Sequence, residues 1–409
     1  MNFFERNGQE YLRRRASGKP PRILGQILSL NDFEEQARRL LPRPIFGYIS
    51  SAAEDGQSFQ NNWAALRNHG FVTRVLRDVS QRSQVVELFG EKYTSPFGIA
   101  PMGINALSTY RCDQVLANSA SQAGIVSIMS GASLMPMEMV AMESPRTWFQ
   151  AYLPSQWPAM EALMDRVANA GFKTLVITVD IPVHANRENS ARSGFGVPLR
   201  PSFGLAWDGV TRPRWLLNTL LRTIVCDGMP HFENLFATRG SPILSAKVAN
   251  DFAGTSHLSW EHLAGIRKHW KGNLVIKGIL SVSDALLAKN CGADGVIVSN
   301  HGGRQLDGAV APLDMLEGVV KVVGSHYPVM VDGGFRRGSD ILKALALGAK
   351  MVFIGRPFNY AAAVASQAGV MHAIQLLHDE IDRNMAMMGV TNCSQIDEKY
   401  MVRINGGGH

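Results

Sequence analysis

The sequence predicts a (β/α)8 barrel, and three features carry that expectation. Eight short apolar runs rich in β-branched residues recur along the chain. Amphipathic stretches with helical spacing lie between most of them. Polar residues or glycines follow nearly every run, at the strand ends where such a barrel gathers its functional groups. An open doubly wound sheet is the second architecture that alternating strands and helices allow.

In chain order, residues 1–95 read as an N-terminal extension with helical character and a small hairpin near 85–94. The strands are expected at 96–101, 125–130, 147–152, 175–180, 274–278, 295–300, 328–333 and 351–355. Most are continuously apolar, as parallel strands must be when helices cover one side and a packed interior the other. Helices are expected at 112–123, 158–170, 260–270, 282–291, 313–324 and 339–348. The interval 181–273 is too long for one helix, so it must hold an insertion.

Composition narrows the class. With 409 residues, 46% hydrophobic and 18% charged, the chain is neither disordered nor collagen-like. Its four cysteines, Cys112, Cys226, Cys291 and Cys393, show no paired spacing and are expected to be reduced thiols in a cytosolic setting. The first residues, MNFFERNGQEYLRRR, lack the apolar core of a secretory signal. No apolar run reaches the roughly 18 residues of a membrane span. The net charge of +7 sits mainly in two appendages, +4 in residues 1–22 and +2 in 196–240. Neither segment carries a nucleic-acid module or interleaved aromatic and basic residues, so no nucleic-acid partner is expected.

The strand ends supply the chemistry. In order they present Pro101, Met102 and Gly103; Ser130; Gln150 and Tyr152; Thr178 and Asp180; Lys277; Ser299 and His301; Asp332, Gly333 and Gly334; and Gly355 with Arg356. The last two groups, with Arg336, match the phosphate site that recurs after barrel strands seven and eight. His301 lies between strand end and glycines, and Asp180 could orient its imidazole. Arg304 and Arg187 could grip a carboxylate. A lysine inside the mouth needs an anionic partner, so Lys277 implies a reduced cofactor or a phosphate. The set suits flavin mononucleotide (FMN) and the oxidation of a 2-hydroxy acid. Scattered histidines give no metal site.

Several motifs then resemble one family in its own order: LPRPIFGYISSAAED (41–55), FQAY (149–152), TVDIP (178–182), NRE (186–188), LVIKG, SNHGGRQ (299–305), DGGFRRG and FIGRP. They are similar to those of the FMN-dependent 2-hydroxy-acid oxidases and dehydrogenases, which include glycolate oxidase, lactate oxidase and the membrane lactate and mandelate dehydrogenases. The resemblance runs from about Leu30 to about Met401, leaving a basic tail over 1–29 and one barrel domain over 30–409.

It implies that Tyr48, Arg187 and Arg304 hold the substrate carboxylate and that Tyr152 touches the substrate oxygen. His301 would remove a proton, and Asp180 would stabilise the resulting imidazolium. Lys277 would face the polar edge of the flavin, with Gln150, Thr178, Ser130 and Ser299 nearby. Pro101, Met102 and Gly103 stand where the family often has P-T-A. Ala132 falls where glycolate oxidases carry tryptophan, and His184 where they carry leucine. A substrate larger than glycolate, such as lactate, mandelate or a similar (S)-2-hydroxy acid, is therefore expected.

The insertion, about 196–250, resembles that of the membrane-associated mandelate dehydrogenase branch. Its WLLNTLLRTIV stretch sets Trp215, Leu216, Leu220 and Ile224 near one helical face, flanked by Arg214 and Arg222. Such a segment could lie on the cytoplasmic membrane face. It could equally pack on the barrel, join an oligomer contact or act as a lid. Electrons would then pass to a quinone or another carrier, the alternative being a soluble oxidase that reduces O2 to peroxide. A non-catalytic FMN-binding protein is the third reading. The resemblance also implies a homotetramer.

Overall fold

The computed structural model describes residues 21–196, 198, 199, 203–247 and 256–404. The expected basic tail lies outside the described residues through residue 20. Leu24 and Ile27 are already buried in the core, on the tail side of the boundary expected at residue 30.

Eight parallel strands form the barrel: β1 (Phe97–Ile99), β2 (Val126–Ser130), β3 (Trp148–Ala151), β4 (Thr174–Thr178), β5 (Asn273–Ile279), β6 (Gly295–Val298), β7 (Val329–Asp332) and β8 (Met351–Ile354). Each coincides, within a residue or two, with one of the apolar runs. β8 pairs back onto β1 through Val352 opposite Phe97 and Ile354 opposite Ile99. That pairing closes the ring and excludes the open sheet.

Alternation along the strands divides the apolar side chains between two regions. Val126, Ile128, Val176, Val275, Ile297 and Phe353 fill the interior together with Leu88 and Tyr93. Phe97, Met129, Phe149, Leu175 and Ile177 join the larger core under the helices. Leu88 and Tyr93 belong to a hairpin, Val86–Leu88 with Glu91–Tyr93, as expected near 85–94. Phe89 at its turn packs 5.5 Å from the Trp148 ring, at the start of β3. The hairpin thus stops the N-terminal end of the barrel and leaves the opposite mouth for a ligand.

Helices form at Cys112–Ala123, Trp157–Asn169, Trp260–His269, Val282–Asn290, Pro312–Val323 and Gly338–Ala346. Their ends follow local chemistry. Gly124, at φ 70°, takes the left-handed stop after the first of them. Ser281 caps Val282–Asn290 by accepting from the Asp284 amide. The N-terminal extension supplies Leu30–Leu40, Arg43–Ser50 and Gln57–Arg67. A C-terminal helix, Arg356–Met388, packs on Leu30–Leu40, and its geometry breaks at Ala365 and Ser366.

The described part of the insertion contains Phe203–Val210, then a continuous helical stretch of Pro213–Trp215, a π-helical Leu216–Leu221 and Arg222–Asp227. The apolar face expected here splits. Trp215 is 7% exposed and Leu216 and Leu220 pack on the core, but Ile224 is 42% exposed. The barrel contact runs through Trp215, Thr219 and Thr223, four residues apart, so Ile224, one position on, turns outward. Leu217, Leu221 and Val225 form the opposite, exposed row. Among the described residues no helix is long and apolar enough to cross a membrane.

Candidate active site

A cavity of about 480 Å³ opens at the C-terminal mouth of the barrel. Seven of the eight strands send a residue to its wall at or just beyond their ends: Met102 and Gly103 after β1, Ala132 after β2, Tyr152 after β3, Lys277 in β5, His301 and Arg304 after β6, Asp332 to Arg336 around β7, and Gly355 and Arg356 after β8. The segment after β4 adds His184 and Arg187, and the N-terminal extension adds Tyr48, Phe59 and Trp63. Ser130, Gln150, Thr178, Asp180 and Ser299 stand behind this wall, with Ser130, Gln150, Thr178 and Ser299 almost wholly buried.

His301 and Asp180 meet as expected, with Nδ1 3.0 Å from Asp180 Oδ1. An ionised carboxylate can only accept, so the proton of the neutral ring resides on Nδ1 and leaves Nε2 with the lone pair. His301 adopts φ 56°, and its amide donates to Ser299 Oγ at 3.0 Å. Burial, joined by the Lys277 and Arg187 charges, holds the imidazole below its ordinary pKa despite Asp180. Burial would raise Asp180, yet His301 and Lys277 outweigh it and keep the carboxyl below its usual range. The pair is therefore a neutral base beside a carboxylate, ready to take a proton.

Lys277 is 3% exposed. Its Nζ lies 3.1 Å from Asp332 Oδ2 and donates to Ser299 Oγ at 2.9 Å. Burial would lower its pKa, but Asp332 and Asp180 together raise it. This corrects the expectation that its partner must be a cofactor or phosphate: the chain supplies the anion itself.

Three guanidinium groups gather on one side. Arg304 donates to the carbonyls of Tyr48, Ile49 and Ser51, and Arg356 to those of Ile49, Ser51 and Gly302. The Tyr48, Ile49 and Ser51 carbonyls sit at the C-terminal, negative end of the helix Arg43–Ser50. Arg187 donates to the Arg304 carbonyl and to Gln305. Burial and the neighbouring cations push Arg304 down to about 9, and burial with Arg336 and Arg187 pushes Arg356 down to about 10. Among the described residues no carboxylate pairs with any of the three. Such a cluster calls for an anionic ligand.

Two groups at the expected phosphate end also have contacts of their own within the protein. Arg336 is already paired, 2.6 Å from Glu34 and 5.1 Å above the Trp63 ring. Gly333 and Gly334 do take positive φ, 105° and 87°. However, a Cβ at Gly334 would come within 2.9 Å of the Asn62 side chain. Close approach of the helix Gln57–Arg67 therefore requires that glycine, whatever ligand is bound.

Sequence reasoning did not identify Leu235 and Phe236, which reach the cavity from the returning arm of the insertion. Asn234, fully buried, positions them by accepting from the Met137 amide at 2.9 Å and donating to the Met135 carbonyl at 2.7 Å. Arg166 holds the Phe236 carbonyl at 3.0 Å. The apolar pair after Asn234 was the available signal.

The FMN-dependent dehydrogenase family matches residues 37–403. The chain belongs to that family. (S)-Mandelate dehydrogenase of Pseudomonas putida is 34% identical over 92% of this chain and 94% of its own. An L-lactate dehydrogenase of Pectobacterium atrosepticum is 35% identical over 92% of this chain and 97% of its own. A crystal structure of the monotopic membrane protein (S)-mandelate dehydrogenase superimposes with a TM-score of 0.86 at 34% identity, covering 92% of this chain and 99% of that one.

As an FMN-dependent dehydrogenase, the chain must hold a flavin, and its residues fit one. Gln150 Nε2 and Thr178 Oγ1 are buried without a partner among the described residues. Leaving such groups unsatisfied costs about 1–3 kcal/mol each. They lie on β3 and β4, next to Lys277 on β5, and Thr178 is directly opposite Lys277 in the register. The carbonyl and imide edge of a flavin ring offers the acceptors and donor that this row lacks, while the arginine cluster suits a phosphate and a carboxylate.

Proposed function

We propose that the chain oxidises an (S)-2-hydroxy acid larger than glycolate to the 2-oxo acid and passes the electrons to a quinone or similar carrier at a membrane surface. The neutral His301–Asp180 pair, set in one cavity beside three arginines that have no carboxylate partner among the described residues, carries the reading. Arg187, Arg304 and Tyr48 hold the substrate carboxylate, which orients its Cα–H and hydroxyl. His301 Nε2 takes one proton from the substrate, and Asp180 stabilises the charge this creates on the ring. Tyr152 hydrogen-bonds the oxygen that becomes the carbonyl. FMN, when bound, would supply the acceptor for the two electrons and the second hydrogen that leave the substrate. Gln150, Thr178 and Lys277 hold the polar edge of its ring, with Ser130 and Ser299 orienting Gln150 and Lys277. Pro101, Met102 and Gly103 cover one side of the cofactor. Gly333, Gly334, Gly355 and Arg356 receive its phosphate, with Arg336 supporting that end through its ion pair with Glu34, while Asp332 holds Lys277 at the ring.

The substrate side supports a bulky group. Ala132, Leu235 and Phe236 line it with apolar surface. The exposed row Leu217, Leu221 and Val225, together with Phe203 and Trp207 at 97% and 71% exposure, supports peripheral membrane attachment. Arg212 and Arg222 flank it, as anionic lipid would favour.

A panel of (S)- and (R)-2-hydroxy acids, added without oxygen while flavin absorbance is followed, tests the reading. Bleaching by an (S)-acid larger than glycolate is expected. No bleaching by any member would overturn it. Fast reoxidation of the reduced enzyme by air would assign O2 as acceptor in place of a carrier.

A further inference from the structure

The outer side of the cavity wall is held by the insertion, through three contacts that share one property. Trp215 Nε1 donates to the Leu107 carbonyl at 2.7 Å in a buried setting. Asp227 pairs bidentately with Arg111, whose Nε lies 3.1 Å from Asp227 Oδ2. Arg214 donates to the Val364 carbonyl at 2.9 Å. Each contact falls on, or within three residues of, a non-glycine residue in the left-handed region: Leu107 lies three past Ile104 at φ 63°, Arg111 itself has φ 49°, and Val364 lies two before Ser366 at φ 49°. For a β-branched residue such as Ile104 this is a true outlier, one that persists only where the surroundings over-determine it.

The inner faces of the same elements meet in the cavity. Asn105, in the turn Asn105–Leu107, donates to the Met102 carbonyl at 2.8 Å and to Asp113 Oδ1 at 3.2 Å. Asn359, three residues beyond Arg356, donates to Asn105 Oδ1 at 2.6 Å. Both asparagines line the cavity and are at least 97% buried, and Asn359 Oδ1 has no partner among the described residues. Insertion, turn and helix thus form a closed frame: Trp215 to Leu107, Asn105 to Asn359, and Val364 back to Arg214.

We propose that Trp215, Arg214 and Asp227 are positioning residues for the cofactor cavity. By gripping the frame from outside, the insertion fixes the spacing between the Met102 turn and the Arg356–Asn359 segment that receives FMN. The proposal rests on the cofactor reading above but not on membrane attachment. A hydrogen-bonded frame across two walls transmits a shift of one element to the other, because packed interiors move as discrete units rather than deforming freely.

The test titrates FMN into the apoprotein by flavin fluorescence, wild type first, then Trp215→Phe, Arg214→Met, Asp227→Asn and Asn359→Leu. Phenylalanine keeps the apolar volume and removes only the indole N–H. The expected result is a three- to tenfold weaker FMN dissociation constant in each of the first three variants, with a changed visible flavin spectrum. Trp215→Phe combined with Asn359→Leu should lose less than the product of the single losses, since both act on one frame. FMN affinities within twofold of wild type in Trp215→Phe and Arg214→Met, even with a lowered melting temperature, would overturn the proposal. Should Trp215→Phe fail to fold, Arg214→Met and Asp227→Asn carry the same readout from half-exposed positions. A wild-type apoprotein that binds no FMN would defeat the cofactor reading instead. Failure of the wild type to bind vesicles of phosphatidylcholine and phosphatidylglycerol would defeat membrane attachment and leave this proposal standing.

Discussion

Asp180 Oδ1 stands 3.0 Å from Nδ1 of His301, a residue whose backbone occupies the left-handed region. Backbone and carboxylate together aim Nε2 into the cavity. His301→Gln keeps the polar volume but cannot accept the proton. It should retain FMN while kcat falls by about a hundred- to ten-thousandfold. Asp180→Asn should fall by a similar order, because the neutral amide no longer stabilises the imidazolium. Stopped-flow flavin reduction under argon measures both, and near-normal reduction in His301→Gln would remove the residue from its role.

The pH profile follows from the same pair. Burial holds His301 below the ordinary imidazole value of about 6.5. Only the neutral ring can act as base, so kcat/KM should be flat at neutral pH and fall on the acid side. The acid limb should have its midpoint below about 6.5. Arg187→Met removes a neighbouring cation that lowers His301 and should move that limb upward. A limb unmoved by this change would mean another group titrates.

Lys277 and Asp332 are a buried ion pair, 3.1 Å apart. Lys277→Met leaves the carboxylate uncompensated and should cost about 3–5 kcal/mol of stability. Adding Asp332→Asn should recover most of that loss in urea unfolding while activity stays low, since the lysine charge is still missing. Recovery of activity in the double variant would make the lysine structural only.

Ala132, 6% exposed, lies in the cavity wall on the proposed substrate side. Ala132→Trp should raise KM for aryl-substituted 2-hydroxy acids by tenfold or more and spare small ones such as glycolate. Equal losses for both classes would place the bulky group elsewhere.

Leu217 and Val225, at 60% and 82% exposure, point away from the barrel. Leu217→Asp with Val225→Asp should lower co-sedimentation with anionic vesicles severalfold and leave kcat in solution unchanged. Undiminished sedimentation would argue that this row does not touch lipid.

All eight barrel strands were legible because doubly covered parallel strands must be apolar throughout, a pattern read from the residues alone. His301 and Asp180 were legible because Asp180 ends one such run and His301 directly follows another. Partners distant in sequence were not. Nothing around Arg336 points to Glu34, roughly three hundred residues earlier, and nothing around Lys277 ranks Asp332 above a ligand. The insertion was legible only in part, for a different reason. Trp215, Leu216 and Leu220 do pack on the barrel, but so do Thr219 and Thr223, while Leu217, Leu221 and Ile224 turn outward, so periodicity located the helix but not the limits of its buried side.

Leu235 and Phe236, which line the cavity, belong to the same loop as the exposed row of Leu217, Leu221 and Val225. On the function proposed above, diet and address would therefore be inherited together. A relative with a different loop would change what it accepts as it changed what it attaches to. An engineer who trimmed the loop to free the enzyme from a surface would then also redraw its substrate list.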